Sequence, residues 1–482
     1  MRFRVIFQFV GFVVLLISLS MLLAIPFSLA YEDGTAGLLL GCSGLGTAAG
    51  GLIILATRSK HTVVLNHREG MAIVTLSWVA AGLTAALPFY VSGIIPSFTD
   101  CLFEAMSGFT TTGASILKDI EALPKGLLFW RSMTHWLGGM GIILLSLAVL
   151  PFLGVGGMQL YKAEVPGPTP DKLRPRIKDT ALILWTVYLL FTVLETILLY
   201  AGGMDLFNSL CHTFGTVATG GFSPKNASIG HYSSVSVHVV ITVFMFLAGT
   251  NFALHYKLLQ GSPGEYLRSS EFRFYLGLVL AVIGVLTLSL WISSGKEVGY
   301  SLQHGAFQAV TIVTTTGYVT ADYAAWAPLA QVLLFICMFS GGMAGSTSGG
   351  IKTMRTLLLG KHNVRELKKL VHPRAVIPLK LDGRPVPESV LGGIWGFFLL
   401  FVSLMVLAAL ILAGMGMDLV TSFAAAIACI GNIGPGLGDV GPANNYADLP
   451  LAAKWVLTFC MLLGRLEIYT VIILITPDFW RK

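Results

Sequence analysis

Four short polar elements interrupt an otherwise apolar chain: FTTTGAS from Phe109, VATGGFS from Val217, TTTGYVT from Thr314 and GNIGPGL from Gly431. Each combines small or hydroxyl side chains with glycine, and none carries a carboxylate at its centre. Glycine tolerates the left-handed or strained dihedrals that turn successive carbonyls toward one axis. Threonine and small side chains leave that backbone open to an ion. Rings of backbone carbonyls can replace the hydration shell of an alkali cation. The missing central carboxylates argue against an acidic ring of the calcium type. With Gly113, Gly220, Gly317 and Gly434 aligned, the elements recur at spacings of 107, 97 and 117 residues. The fourth has Asn432 and Ile433 where the first has two threonines, so any ring is only pseudo-fourfold.

A second polar stretch, SGGMAGSTSGG from Ser340 to Gly350, sits in the middle of an apolar block and holds five glycines among eleven residues. Each glycine inside a helix costs about 1 kcal/mol relative to alanine, so a continuous helix is not expected. Unwound backbone survives at membrane depth only against protein or water. Gly341, Gly342, Gly345, Ser346, Thr347, Ser348, Gly349 and Gly350 are therefore candidates for a gate beneath the polar elements, the alternative being a close-packed seam of small residues. Arg465 lies about ten residues from either end of an apolar block, and a charge there is a functional candidate. Glu467 is two residues on, and i,i+2 side chains do not meet on a helix, so Arg465 needs another partner. Carbonyls freed in the glycine-rich loop would serve. Lys352 reads as an inner-boundary anchor. Glu195 reads as a buried group paired with a neighbouring helix or involved in proton coupling. Asp100 and Glu104 could complement a helix N-terminus or attract cations at a mouth.

These residues need a membrane scaffold to hold them. The chain has 482 residues, is 55% hydrophobic and only 11% charged, and its mean hydropathy is +0.78. A soluble domain has about 25% charged residues. Ten apolar blocks are long enough for the ~20-residue helix that crosses a bilayer. They lie at roughly 5–30, 36–57, 71–93, 127–152, 180–203, 236–256, 274–294, 327–358, 390–414 and 452–476. Before each polar element stands a shorter segment, 97–112, 205–219, 301–316 or 419–433, which reaches about halfway across. The repeating unit is thus span, half-helix, polar loop, span. The expected fold is an all-α polytopic membrane protein of four pseudo-repeats around one pore, with two extra N-terminal helices.

Charge sets the orientation. With a cytoplasmic N-terminus, 24 of the 31 Lys and Arg residues fall on the cytoplasmic side, as the positive-inside rule requires. The net charge of +7 is then no sign of nucleic-acid binding. The N-terminal run imitates a signal peptide but is too long for one and is read as an uncleaved helix. The six cysteines form no C-x-x-C pair and read as small core residues.

FEAMSGFTTTGAS, THWLGGMGIILLSLAVLPFLGVGGMQLYKAEVPGP, GGMAGSTSGGIK, RELKKLVHPRAV, NIGPGLG and LLGRLEIYT together resemble the membrane subunits of the Trk potassium uptake systems, the TrkH/TrkG branch of the Trk/Ktr/HKT superfamily. The resemblance covers essentially the whole chain. It implies a potassium-conducting homodimer with one pore per subunit in the bacterial inner membrane, and a cytoplasmic TrkA-like nucleotide-binding ring as partner. Carried over by motif, the ion-binding filter falls on Thr111, Thr112 and Gly113; Ala218, Thr219 and Gly220; Thr315, Thr316 and Gly317; and Asn432, Ile433 and Gly434. Potassium is the transported ion, and no organic cofactor is implied. The third loop reads TTTGYVT where the family often has T-T-A-G-F. The resemblance also supports Arg465 beside the glycine-rich loop. The expected units are 1–60, a helix pair; 61–165, 166–262 and 263–362, the first three repeats; and 363–482, the fourth repeat with a basic cytoplasmic loop before it. That loop is a candidate surface for membrane lipid or the ring.

Other signals carry less. GLGDVG from Gly436 matches G-x-G-x-x-G, but no strand precedes it. Asn226 begins a formal N-A-S sequon. No nucleophile–base or metal-ligand constellation occurs in the spans, so an enzyme is not expected. The competing reading is a secondary transporter that couples potassium to H⁺ or Na⁺, kept open by Glu195 and Glu467.

Overall fold

The computed structural model describes residues 1–58, 66–141 and 177–481. The end of the fourth apolar block, most of the GIILLSLAVLPFLGVGGMQLYKAEVPGP run, and the expected unit boundaries near residues 60 and 165 lie outside the described residues. The described chain is mostly helical, with one two-stranded hairpin, β1 Lys380–Leu381 against β2 Arg384–Pro385.

The N-terminal helices are α1 Phe3–Ser20, α2 Ile25–Ala30 and α3 Ala36–Thr57. Helix α1 packs along α3 and also touches α4, His67–Val91. Small residues let the first two approach closely, with Gly50 of α3 against Leu15 and the Gly11 carbonyl of α1. Such contacts replace the hydrophobic drive that lipid cannot supply. The chain continues through α5 Phe98–Phe109, α6 Lys125–Gly139, α7 Ile177–Ala201, α8 Leu206–Val217, α9 Val235–Ala248, α10 Phe252–Leu259, α11 Gly264–Arg268 and α12 Ser270–Ser294. It ends with α13 Val298–Val313, α14 Pro328–Cys337, α15 Thr353–Val371, α16 Glu388–Gly414, α17 Leu419–Ile430, α18 Leu451–Arg465, α19 Tyr469–Ile475 and α20 Pro477–Trp480.

Among the described residues six helices are long and apolar enough to cross a membrane, and two bent pairs can raise that to eight. The long helices are apolar on all sides, as lipid-facing spans are. The short helices α5, α8, α13 and α17 are the half-length segments expected before the polar elements. Most of their residues are buried.

Two expected spans are not straight. The block at 236–256 is α9 and α10, bent by 102°, and the block at 452–476 is α18 and α19, bent by 120°. The first breaks at Gly249–Asn251, where the Asn251 side chain caps α10 by accepting the Ala253 N–H at 2.8 Å. The second breaks after Arg465, where Glu467 and Ile468 both have positive φ. The eighth block is interrupted as expected: α14 stops at Cys337, and α15 starts only at Thr353.

Candidate ion site and inner loop

The four short helices end alike. In each, the residue after the C-cap has positive φ: Thr111 at 50°, Thr219 at 52°, Thr315 at 57° and Asn432 at 54°. The next N–H reaches back to close the turn, from Thr112 to the Ser107 carbonyl (2.9 Å), Gly220 to Gly215 (2.8 Å), Thr316 to Thr311 (2.8 Å) and Ile433 to Ala428 (2.8 Å). This is the Schellman ending, whose left-handed position is usually filled by glycine. Threonine there costs on the order of 1 kcal/mol or more, and such outliers gather at functional sites.

A glycine follows with positive φ in every loop: Gly113, Gly221, Gly317 and Gly434. In the second loop the structural equivalents of Thr111–Gly113 are therefore Thr219–Gly221, one residue beyond the expected Ala218–Gly220. Ala218 is instead the C-cap of α8. The Gly-Gly pair makes the two registers indistinguishable by composition, and only the left-handed turn selects between them.

These glycines form a closed circuit. A Cβ on Gly113 would strike the Gly220 carbonyl oxygen; one on Gly221, that of Thr316; one on Gly317, that of Ile433; and one on Gly434, that of Thr112. Loop one thus abuts loop two, two abuts three, three abuts four, and four returns to one. The Asn432 amide reinforces the last contact, donating to Thr112 Oγ1 at 3.0 Å and to the Met461 carbonyl at 2.9 Å.

Buried polar groups hold the loops from behind. Arg131 Nε lies 2.6 Å from Glu104 Oε1. Its Nη1 donates to the Ser223 carbonyl at 3.0 Å, and the guanidinium stacks 3.6 Å from the Phe222 ring centre. Glu104 also accepts the Ile116 N–H and the Ser115 hydroxyl, both at 2.9 Å. Glu104 is thus a brace between the chain after loop one and the chain after loop two. Lys454 Nζ pairs with Asp100 Oδ1 at 2.6 Å. Tyr446 donates to the Gly434 carbonyl at 2.7 Å. No local pattern singles out Gly221 or Tyr446. A basic residue inside an apolar block was the available signal for Arg131.

The glycine-rich stretch lies against these loops. Its ends pair with one another, Gly341 N–H to the Ile351 carbonyl at 2.8 Å and Ile351 N–H to Phe339 at 3.1 Å. Thr347 Oγ1 donates to the Val217 carbonyl at 3.0 Å, and the Gly349 N–H donates to Thr315 Oγ1 at 2.7 Å. Gly349 also abuts Asn432. Arg465 donates to the Thr347 carbonyl at 2.8 Å and to the Gly138 and Gly139 carbonyls at 2.7 and 3.0 Å. One cation therefore ties the loop to the end of α6. Lys352 is not at an exposed boundary: it is buried, and its ammonium donates to the Ser348 carbonyl. Glu467 pairs with Arg355 at 2.5 Å.

Other sequence candidates separate from this site. Glu195 is buried on α7, and neither carboxylate oxygen has a hydrogen-bond partner among the described residues. Asn226 clips together the loops that follow α5 and α8, donating to Asp119 at 2.9 Å and accepting the Ile120 N–H at 2.7 Å. Among the described residues the six cysteines are buried and free, and no cluster of His, Cys, Asp and Glu could hold a metal ion.

The helices define a polytopic membrane protein with a circuit of polar loops buried inside it. The model of a family described as "TrkH: Cation transport protein" matches residues 47–482. The chain is 43% identical over 486 residues to the Trk system potassium uptake protein TrkH of Salmonella typhimurium, covering all of both chains. It is 38% identical over 482 residues to the Trk system potassium uptake protein TrkG of Escherichia coli, covering 99% of each. The crystal structure of the potassium transporter TrkH from Vibrio parahaemolyticus matches with a TM-score of 0.90 and 38% identity over all of both chains. The chain belongs to the TrkH family of cation transport proteins.

Proposed function

We propose that this chain takes up potassium across the bacterial inner membrane, through a filter made of Thr111–Gly113, Thr219–Gly221, Thr315–Gly317 and Asn432–Gly434. The observation that carries this reading is the circuit in which each loop's left-handed glycine abuts a carbonyl of the next loop. Four short helices direct their C-terminal ends to that circuit, and a helix C-terminus favours a cation. The loop 340–350 and Arg465 form the gate below. The guanidinium adds positive charge where an ion would leave, so conduction requires the loop to shift.

The repeats are 61–165, 166–262, 263–362 and 363–482, after a helix pair at 1–60, with both termini in the cytoplasm. The protein works as a homodimer under a cytoplasmic TrkA-like nucleotide-binding ring. Support for these points comes from the charge distribution and the likeness to Trk subunits.

The test is ⁸⁶Rb⁺ uptake by proteoliposomes holding the purified chain, with K⁺, Na⁺ and choline as competitors, beside Gly113→Ser. Gly113 has φ 84° and no room for a Cβ. The expected result is uptake blocked by K⁺, weakly by Na⁺ and not by choline, and altered by the substitution. Uptake indifferent to Gly113→Ser would place the ion path elsewhere. A reversal potential that follows pH or Na⁺ at fixed K⁺ would instead support coupled transport, the reading that the buried Glu195 carboxyl keeps in play.

A further inference from the structure

Glu271 stands in the first turn of α12 and is 4% exposed. Nothing in the filter or in the loop's own sequence requires an acid there. Its Oε1 accepts three donors: the Ala344 N–H at 2.7 Å, the Met354 N–H at 3.1 Å and the Thr353 hydroxyl at 3.3 Å. Ala344 is at the middle of the glycine-rich stretch. Thr353 and Met354 are the first two residues of α15. A single oxygen thus joins three elements: the base of α12, the midpoint of the loop and the start of the helix that leaves the loop.

The chemistry suits a latch. The first N–H groups of a helix have no partner within the helix, and a carboxylate is favoured beside them. Loop backbone that leaves the helical ladder also needs acceptors, since an unpaired buried N–H costs about 1–3 kcal/mol. Glu271 meets both needs with one atom. The flanking residues anchor the loop on the same side: Met343 N–H donates to the Gly249 carbonyl at 2.8 Å, and Phe252 N–H donates to the Gly345 carbonyl at 3.1 Å. Those two bonds fix the loop to the α9–α10 break. The loop meets α15 through the Thr353 N–H, which donates to the Gly342 carbonyl at 3.1 Å, and through Glu271, which alone bonds both the loop's midpoint and the first two residues of α15.

We propose that Glu271 is a positioning residue that couples the start of α15 to the loop, so that the loop leaves the ion path when α15 moves. This rests on the reading of residues 340–350 as a gate. A pull on the cytoplasmic length of α15 would draw Thr353 and Met354 from Oε1. The Ala344 N–H would remain on Oε1, with the loop's midpoint no longer tied through that oxygen to α15.

The experiment compares the full chain with Glu271→Ala, Glu271→Gln and a variant lacking several glycine-rich loop residues, all by ⁸⁶Rb⁺ uptake without a partner protein. Loss of a tie to three buried donors predicts a basal rate about tenfold higher in Glu271→Ala, with K⁺ and Na⁺ competition unchanged. Glu271→Gln keeps a carbonyl acceptor and should rise less. A purely structural role would lower uptake or yield without this pattern. Should the loop deletion raise uptake while Glu271→Ala does not, the latch is wrong and the gate stands. Should neither raise it, the gate reading itself falls. Because Glu271→Ala removes a buried group and can misfold, a second measurement uses Ala344→Cys: its labelling by a water-soluble thiol reagent should quicken when Glu271→Gln is added. Equal labelling would overturn the proposal.

Discussion

Arg131 and Glu104 meet inside the protein with 2.6 Å between Nε and Oε1, their side chains 2% and 0% exposed. Removing one partner of a sealed pair leaves a buried charge and typically costs about 3–5 kcal/mol. Glu104→Ala should therefore lower stability by roughly that amount. Since Glu104 also holds Ser115 and Ile116 while Arg131 holds Ser223, the same change should weaken discrimination between K⁺ and Na⁺. Thermal unfolding in detergent and competition of ⁸⁶Rb⁺ uptake measure the two effects. A destabilised protein with unaltered competition would confine the pair to stability.

The register of the second loop can be checked with neighbouring glycines. Gly221 has φ 80°, and a Cβ there would strike the Thr316 carbonyl oxygen, which is backbone. Gly220 lacks the left-handed dihedral, and its Cβ would meet the buried His135 ring at 2.6 Å, a side-chain clash without the added backbone strain. Gly221→Ala should abolish or nearly abolish uptake, and Gly220→Ala should reduce it less. The reverse order of severity would restore Ala218–Gly220 as the working triplet.

How far the fold could be read from the chain follows from such cases. The half-helices were legible because threonine and glycine stand out against apolar flanks, and each helix ends where they begin. The interruption at 340–350 was legible because five glycines cannot sustain a helix. The bends after Ala248 and Arg465 were not. Their flanks stay apolar, and the second bend puts positive φ on Glu467 and Ile468, residue types that give no such warning. That Arg465 needs partners is legible from its place inside an apolar block, and it donates to three carbonyls. The Gly138 and Gly139 carbonyls come from a helix end more than three hundred residues away, and no local pattern identifies them. Glu104 looked like a helix N-terminal charge because its partner Arg131 is distant in sequence.

Asp33 offers a test of pH dependence outside the spans. It lies between α2 and α3 and accepts the Gly126 N–H at the start of α6 at 2.7 Å and the Thr35 N–H at 2.9 Å. Partial burial pushes its pKa up, but the bonds from Gly126, Ser28 and Thr35 outweigh that and hold it below its ordinary value. A carboxyl with a depressed folded-state pKa stabilises the fold above its unfolded value, about 3.9. That contribution is lost as pH falls through the folded value. Asp33→Ala should therefore destabilise at neutral pH, and its difference from the parent should shrink below about pH 4. A difference that is constant from pH 7 to pH 3 would mean that the charge on Asp33 is not what ties the N-terminal helices to α6.

Arg465 distinguishes a holding role from simple charge. It spans from the Thr347 carbonyl to those of Gly138 and Gly139, using the forked geometry that a guanidinium has and an ammonium lacks. It also ends α18, where the helix dipole favours a cation. Arg465→Lys keeps the charge but cannot readily reach both sets of carbonyls, so the loop loses its tie to α6. If holding the loop is what matters, Arg465→Lys and Arg465→Ala should both raise basal ⁸⁶Rb⁺ uptake, by similar factors. If electrostatic repulsion of the ion matters more, Arg465→Lys should stay near the parent rate and only Arg465→Ala should rise. The two donors to Gly138 and Gly139 favour the first outcome, because a charge needed only for repulsion would not be committed to carbonyls on another helix.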